Sequence, residues 1–164
     1  MKHIDELQFE KTYNDNIQMI YHLVYSYLHN RDDALDISQE VFLSYLAKKP
    51  NIENPNEIKF WLIRVAINKS INLLNYRKRH KIIFDDEIIN SLSSQENKEE
   101  NTKMYSLICN LDPKYKTILL LYYYEDIQTS EIARILHMKE STVRMRLHRA
   151  RAILKNQLER ETNG

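Results

Sequence analysis

Arg144, Arg146, Arg149 and Arg151 are spaced to grip phosphate, and interleaved with them Ser141, Thr142 and Met145 are types that can meet base edges. Guanidinium groups bind phosphate oxygens through paired, charge-assisted hydrogen bonds, whereas the first turns of a helix laid in a major groove read bases. The pattern separates these roles. Val143, Leu147, Ala150 and Leu154 recur at steps of four, three and four, so they share one helical face able to pack inward. At about 100° per residue, Arg144 and Arg151, with Lys155, flank one side of that stripe and Arg146 and Arg149 the other. Ser141, Thr142 and Met145 point outward at the start of the helix.

The element that must position this helix lies just before it. Thr129 is the expected N-cap, Glu131 falls in the first turn where the helix dipole favours an acid, and Ile132, Ile135 and Leu136 supply an apolar face. Leu136, His137 and Met138 form the turn. An ordinary amphipathic hairpin with a solvated basic face would show much of the same pattern; the two-helix spacing combined with the charge bias favours a DNA-reading helix-turn-helix.

Composition restricts the rest. Among 164 residues there is one glycine, Gly164, and three prolines, which excludes a turn-rich all-β fold and any glycine-rich phosphate loop. The chain is therefore expected to be all-α. Its single cysteine, Cys109, rules out an intramolecular disulfide and multi-cysteine zinc sites, and its apolar setting suggests a core thiol. His22, His29 and His80 are isolated, and no histidine or carboxylate spacing suggests a metal; no cofactor is expected. The start MKHIDELQFE lacks an apolar signal core and no stretch approaches a membrane span, so the expectation is a soluble, cytoplasmic protein without membrane insertion.

The net charge of +1 conceals strong segregation. Residues 77–81 hold four basic side chains and no acid, residues 82–103 hold six acids against two bases, and residues 139–164 hold seven bases against three acids. Upstream of the first basic cluster, Phe9, Tyr13, Ile17, Ile20, Val24 and Leu28 mark one helix, stopped at His29-Asn30-Arg31-Asp32. Ala34, Ile37, Val41 and Tyr45 mark a second, from Asp33 to about Lys48. Pro50 and Pro55 then make Lys49 to Asn56 a loop.

A third helix, from about Glu57 to Arg79, is apolar on more than one face: Phe60, Ile63, Ile67, Ile71 and Leu74 on one, Leu62, Val65 and Leu73 toward another. Between them runs a polar strip in which Arg64, Asn68, Asn72 and Asn75 lie within about 80° of one another, with Trp61 alongside. Asparagine is a mediocre helix former, so three in line suggest hydrogen-bonding work; a solvated face is the alternative. Residues 80–101 lose periodicity and read as a flexible acidic tether, with Ile82, Ile83 and Phe84 offering a transient contact. Met104, Leu107, Ile108 and Leu111 then mark a helix, Asp112-Pro113 starts the next, and Ile118 to Tyr124 is its expected buried core.

In this order the pieces resemble the extracytoplasmic-function (ECF) group of bacterial sigma factors, of the sigma-70 family, over about residues 9–158. The resemblance rests on DALDISQEVFLSYL, FWLIRVAINKSINLLNYRKR, LDPKYKTILLLYYYEDIQTSEIARIL and STVRMRLHRAR. It implies two small helical domains, residues 1–79 (sigma region 2) and 102–164 (sigma region 4), joined by a linker over 80–101. The second would be a four-helix domain containing the helix-turn-helix. It further implies a transcription initiation factor that binds core RNA polymerase and reads promoter DNA, controlled by an anti-sigma factor. Asp33, Asp36, Gln39 and Glu40 would face the polymerase clamp. Arg64, Asn68 and Asn72, with Arg77, Lys78 and Arg79, would engage the minus-ten element, Asn68 and the loop from Pro50 to Asn56 receiving a base flipped from the stack. Lys139, Glu140, Ser141, Thr142, Arg144, Met145, Arg146 and Arg149 would lie on the minus-thirty-five helix, while Arg151 and Lys155 are too far along to reach DNA.

Three positions depart from the family pattern. His137 replaces a usual glycine in the turn, where left-handed geometry must be tolerated or replaced. Lys139 replaces a capping serine or threonine, which would move the cap toward Ser141. Met145 replaces a small polar residue and alters what the helix reads. Two rival functions use the same residues. A dimeric helix-turn-helix regulator leaves Asp33 to Arg79 unexplained. A DNA-cleaving enzyme would use Tyr122, Tyr123 or Tyr124 as nucleophile with Arg146, His148 and Arg149 as phosphate stabilisers, but tyrosines at that place are expected to pack in the core.

Overall fold

The structure, a computed structural model, describes residues 5–80 and 101–163. Every regular element among them is helical, and the chain divides into two compact units, Met1–Ser94 and Gln95–Gly164. The expected tether, with Ile82, Ile83 and Phe84, lies almost wholly outside the described residues.

In the first unit three helices pack on one another: α1 (Glu6–Leu28), α2 (Arg31–Lys48) and α3 (Pro55–Arg79). Each begins on a side-chain cap. Asp5, Asn30 and Asn54 accept hydrogen bonds from the amides of Gln8 (2.7 Å), Asp33 (2.9 Å) and Asn56 (2.9 Å) respectively. Pro55 occupies the first turn of α3, where its missing N–H costs nothing, so the helix starts two residues before the expected Glu57 and takes in the end of the expected loop. Ile20, Val24, Ala34, Val41, Tyr45, Leu62, Ile63 and Ala66 form a nearly solvent-free core. Burying each large aliphatic side chain contributes roughly 1.5–3 kcal/mol. Ile71 and Leu74 depart from the expected apolar face and remain exposed. At that level of α3 the inward positions are Ser70, Leu73 and Arg77, which leaves Ile71 and Leu74 on the margin.

The second unit holds α4 (Asn101–Cys109), α5 (Pro113–Leu119), a π-helical turn (Leu120–Tyr124), α6 (Thr129–Leu136) and α7 (Glu140–Asn163). Asp112 caps α5 by accepting from the Lys114 amide, 3.1 Å, and Pro113 fills its first turn. Ile118, Leu119, Leu121, Ile132, Ile135, Val143 and Ala150 are its core. The tyrosines correct the sequence reading: Tyr122 is half-buried, but Tyr123 and Tyr124 are exposed. The π turn puts an extra residue into its hydrogen-bonded ring, so the inward register that serves Ile118 to Leu121 runs out before Tyr123.

Glycine stops no described helix. His29, Lys49 and His137, at φ of 53°, 45° and 55°, take the left-handed conformation that ends α1, α2 and α6.

Candidate nucleic-acid and polymerase interfaces

Backbone bonds close the turn between α6 and α7. The Met138 amide donates to the Ala133 carbonyl at 3.0 Å and the His137 amide to Arg134 at 3.4 Å, the paired bonds of a Schellman stop, with left-handed His137 in the place glycine usually takes. Lys139 then supplies the N-cap carbonyl, accepting from the amides of Thr142 (3.0 Å) and Val143 (3.1 Å). The expected shift of the helix start toward Ser141 does not occur, because this carbonyl is correctly placed whatever side chain Lys139 bears.

Thr129 is not the N-cap of α6. Gln128 holds that position without a side-chain bond, and the Thr129 hydroxyl donates to Glu140 Oε1 at 3.0 Å, tying the first turn of α6 to that of α7. Glu140 is thereby turned toward the protein rather than left free on the helix tip.

Along α7, Val143, Leu147 and Ala150 are buried and Leu154 half-buried. Lys139, Ser141, Arg144, Met145 and Arg149 are exposed, with Met145 at 46 %, while Thr142 and Arg146 are half-buried. His148 belongs with the exposed group; the family resemblance gives it no role at DNA, and only the rival DNA-cleaving reading names it. Seven after Ser141 and three after Met145, it lies at the centre of the face opposite Ala150, a position its number alone discloses. Arg151 is claimed by the protein: its guanidinium carbon lies 5.6 Å from the Tyr122 ring centre and 5.3 Å from that of Tyr123, and its Nε donates to the Tyr123 hydroxyl.

On α3 the polar strip forms one face. Asn68, Asn72 and Asn75 are exposed and Arg64 is half-buried, opposite the core residues Leu62, Ala66 and Ser70. Trp61 is half-buried at the strip's edge, its ring 6.0 Å from that of Tyr45. Lys78 and Arg79 are exposed at the helix end, where cations complement the dipole, and Tyr76 stacks on His80 at 4.0 Å. Arg77 does not share their exposure; it pairs with Asp33, Nη1 to Oδ2 2.7 Å.

On α2, Asp36, Gln39 and Glu40 are exposed, off the buried stripe of Ala34, Ile37, Val41 and Tyr45. Asp33 is not. The structure thus brings together one residue expected at the polymerase and one expected at DNA, each turned to the other. Leu35, Leu43 and Leu46 are exposed beside the polar group at 42, 61 and 36 %. Sequence reasoning missed them, although their spacing off the buried stripe was a usable signal. Glu40 also approaches Lys69 of α3, 3.8 Å.

Within the second unit, Lys116 is buried and its ammonium donates to the Cys109 carbonyl at 3.4 Å, across the end of α4. Burial holds its pKa below the ordinary lysine value, and burial pushes the Cys109 thiol up to about 11. Tyr124, exposed at its edge but partly covered, is raised as well, by that partial burial first and Cys109 second. Among the described residues no group of histidine, cysteine and carboxylate side chains could hold a metal, and no helix is long and apolar enough to cross a membrane.

Residues 12–80 match the family described as Sigma-70 region 2, and residues 102–154 match Sigma-70, region 4. The chain is 36 % identical over 148 residues to RNA polymerase sigma factor SigV of Bacillus subtilis, covering 90 % of this chain and 89 % of that protein. The chain belongs to the sigma-70 family, in its ECF group. This sigma factor is also 28 % identical over 155 residues to ECF RNA polymerase sigma factor SigW of Bacillus subtilis, covering 85 % of this chain and 82 % of that one. Two of the solved structures that share its fold are complexes. One is the sigma factor RpoE in complex with the anti-sigma factor NepR from Bartonella quintana (TM-score 0.72, 18 % identity, 92 % of this chain and 96 % of that). The other is CnrH in complex with the cytosolic domain of CnrY (TM-score 0.70, 19 % identity, 94 % and 90 %). The sigma factor is a transcription initiation factor that directs RNA polymerase to promoters.

Proposed function

We propose that the two units divide promoter recognition between them, the first reading the minus-ten element and the second the minus-thirty-five element. The observation that carries this reading is that each unit presents one helix with a buried face and an opposite face set with hydrogen-bonding and basic side chains. In the second unit Ser141, Met145 and His148 meet base edges from the first turns of α7, with Lys139, Arg144, Arg146 and Arg149 on the phosphates to either side and Thr142 and Glu140 shaping the helix start. In the first, Asn68 receives an unstacked base, Arg64 and Asn72 flank it, and Lys78 and Arg79 grip the backbone beyond. Asp36, Gln39 and Glu40 dock on core polymerase, with Leu35 and Leu43 adding apolar area. The factor contributes no catalysis of its own and acts in the cytoplasm.

An anti-sigma protein restrains the factor; of the solved neighbours of like fold, RpoE is named in complex with the anti-sigma factor NepR, and CnrH with the cytosolic domain of a second protein, CnrY. The test is transcription in vitro with purified core polymerase on a library of promoter fragments. Selective transcripts that disappear with Asn68→Ala or shift their upstream preference with Met145→Ser are expected. Unselective or absent transcription from the wild-type protein would refute the reading.

A further inference from the structure

The geometry points to Arg77 as a positioning residue: its ion pair with Asp33 locks the DNA-reading end of α3 to the first turn of α2, so the two helices hold one geometry as the promoter opens. This rests on the reading of α3 as the minus-ten helix. Arg77 Nη1 and Asp33 Oδ2 are 2.7 Å apart, with the two side chains only 18 % and 20 % exposed. The neighbouring pair Glu40 and Lys69 spans 3.8 Å and is more open to solvent. Helical geometry selects Arg77 from the basic run. It stands four residues after Leu73 and seven after Ser70, on the inward edge, whereas Lys78 and Arg79 turn outward. Asp33 is held in turn, its amide bonded to the cap residue Asn30 at 2.9 Å. A pair shielded in this way is weakly screened by salt and directional, so it can fix where Lys78 and Arg79 stand.

Three roles for these residues predict different signs. If Arg77 gripped phosphate, removing the nearby Asp33 charge would leave promoter binding unchanged or strengthen it. If Asp33 contacted polymerase, its loss would lower core affinity. A positioning pair predicts that both losses act alike, on the open complex.

The experiment uses the full chain with core polymerase on a forked promoter duplex and the variants Asp33→Asn, Arg77→Gln and the two combined. Open-complex lifetime and core affinity are measured, with folding checked by circular dichroism. Each single variant is expected to shorten the lifetime about tenfold, the double variant no more than either, as coupled partners do. Core affinity is expected to stay within about twofold of wild type. An Asp33→Asn lifetime equal to or longer than wild type, losses that multiply in the double variant, or a selective fall in core affinity would each overturn the proposal. Wild-type protein that fails to transcribe with core polymerase defeats the underlying reading instead, a distinct result.

Discussion

Cys109 and Lys116 are two ionisable groups sealed in one small core, and their titrations work against each other. The thiol's pKa rises from 9.0 to about 11 on folding, so between those values the folded chain keeps a proton that the unfolded chain has released. That stability is complete below pH 9 and is lost as the pH climbs through 11. Lys116 shifts the other way and its contribution improves with pH until the unfolded lysine has titrated. In urea unfolding at pH 8 and pH 10.5, Cys109→Ala is expected to remove on the order of 2 kcal/mol of alkaline destabilisation. An unchanged difference between the two pH values would argue against the buried thiol as its source. The arginines of α7 permit a second test. Arg149→Ala is expected to reduce the slope of log affinity against log salt by about one phosphate contact, and Arg151→Ala to leave it unchanged while costing about 0.5–1 kcal/mol of stability. The thiol's burial was legible in its apolar neighbours. The engagement of Arg151 by Tyr122 and Tyr123 was not, since 28 residues separate Arg151 from Tyr123.

Helices without glycine stops show at the element scale what periodicity can and cannot disclose. The apolar spacings place α1, α2, α3 and α7 within a few residues of where they form, because burying those stripes is the dominant gain. The left-handed residues that end α1 and α2 carry no such signature: lysine has no special liking for positive φ, and histidine, though enriched there over most residues, adopts it too seldom to mark a helix end from sequence. His137→Gly should therefore stabilise the second unit by roughly 0.5–1 kcal/mol, read as a higher unfolding midpoint, without moving α7. A lower midpoint would mean that the imidazole makes a contact worth more than the backbone strain. Thr129 misled for a related reason. Its type and place suit a cap, but its hydroxyl finds Glu140 eleven residues on, a partner that only the folded turn brings near. The π turn was equally unreadable, and with it the exposure of Tyr123 and Tyr124.

Across the whole molecule, the surfaces on α2, α3 and α7 are distinct, so their functions should be separable by mutation. Replacing Asp36, Gln39 and Glu40 together by alanine is expected to weaken binding to core polymerase about tenfold to a hundredfold, measured by fluorescence anisotropy, with helix content intact. Replacing Ser141 and Met145 should change which promoters are used and leave core affinity untouched. A parallel fall in both measurements for either set would show that the surfaces are not independent. The residues proposed for these surfaces were legible wherever exposure follows from helical phase, as it does for Asn68, Asn72, Arg144 and Arg149. Leu43 and His148 satisfy the same phase, but an exposed leucine does not advertise a docking role, and His148 enters only the rival DNA-cleaving reading.

The order of amino acids alone determined that the chain is helical, that it forms two blocks separated by an acidic stretch, and that each block carries a basic, hydrogen-bonding helix face. These are local matters: composition, period and charge act within a few turns. Tertiary structure decided which of those side chains are available. It drew Asp33 and Arg77 into a pair across 44 residues, gave Arg151 to two tyrosines, and turned Thr129 toward Glu140. A charged side chain's partner is set by distance in space, and packing, not sequence spacing, brings those groups within reach.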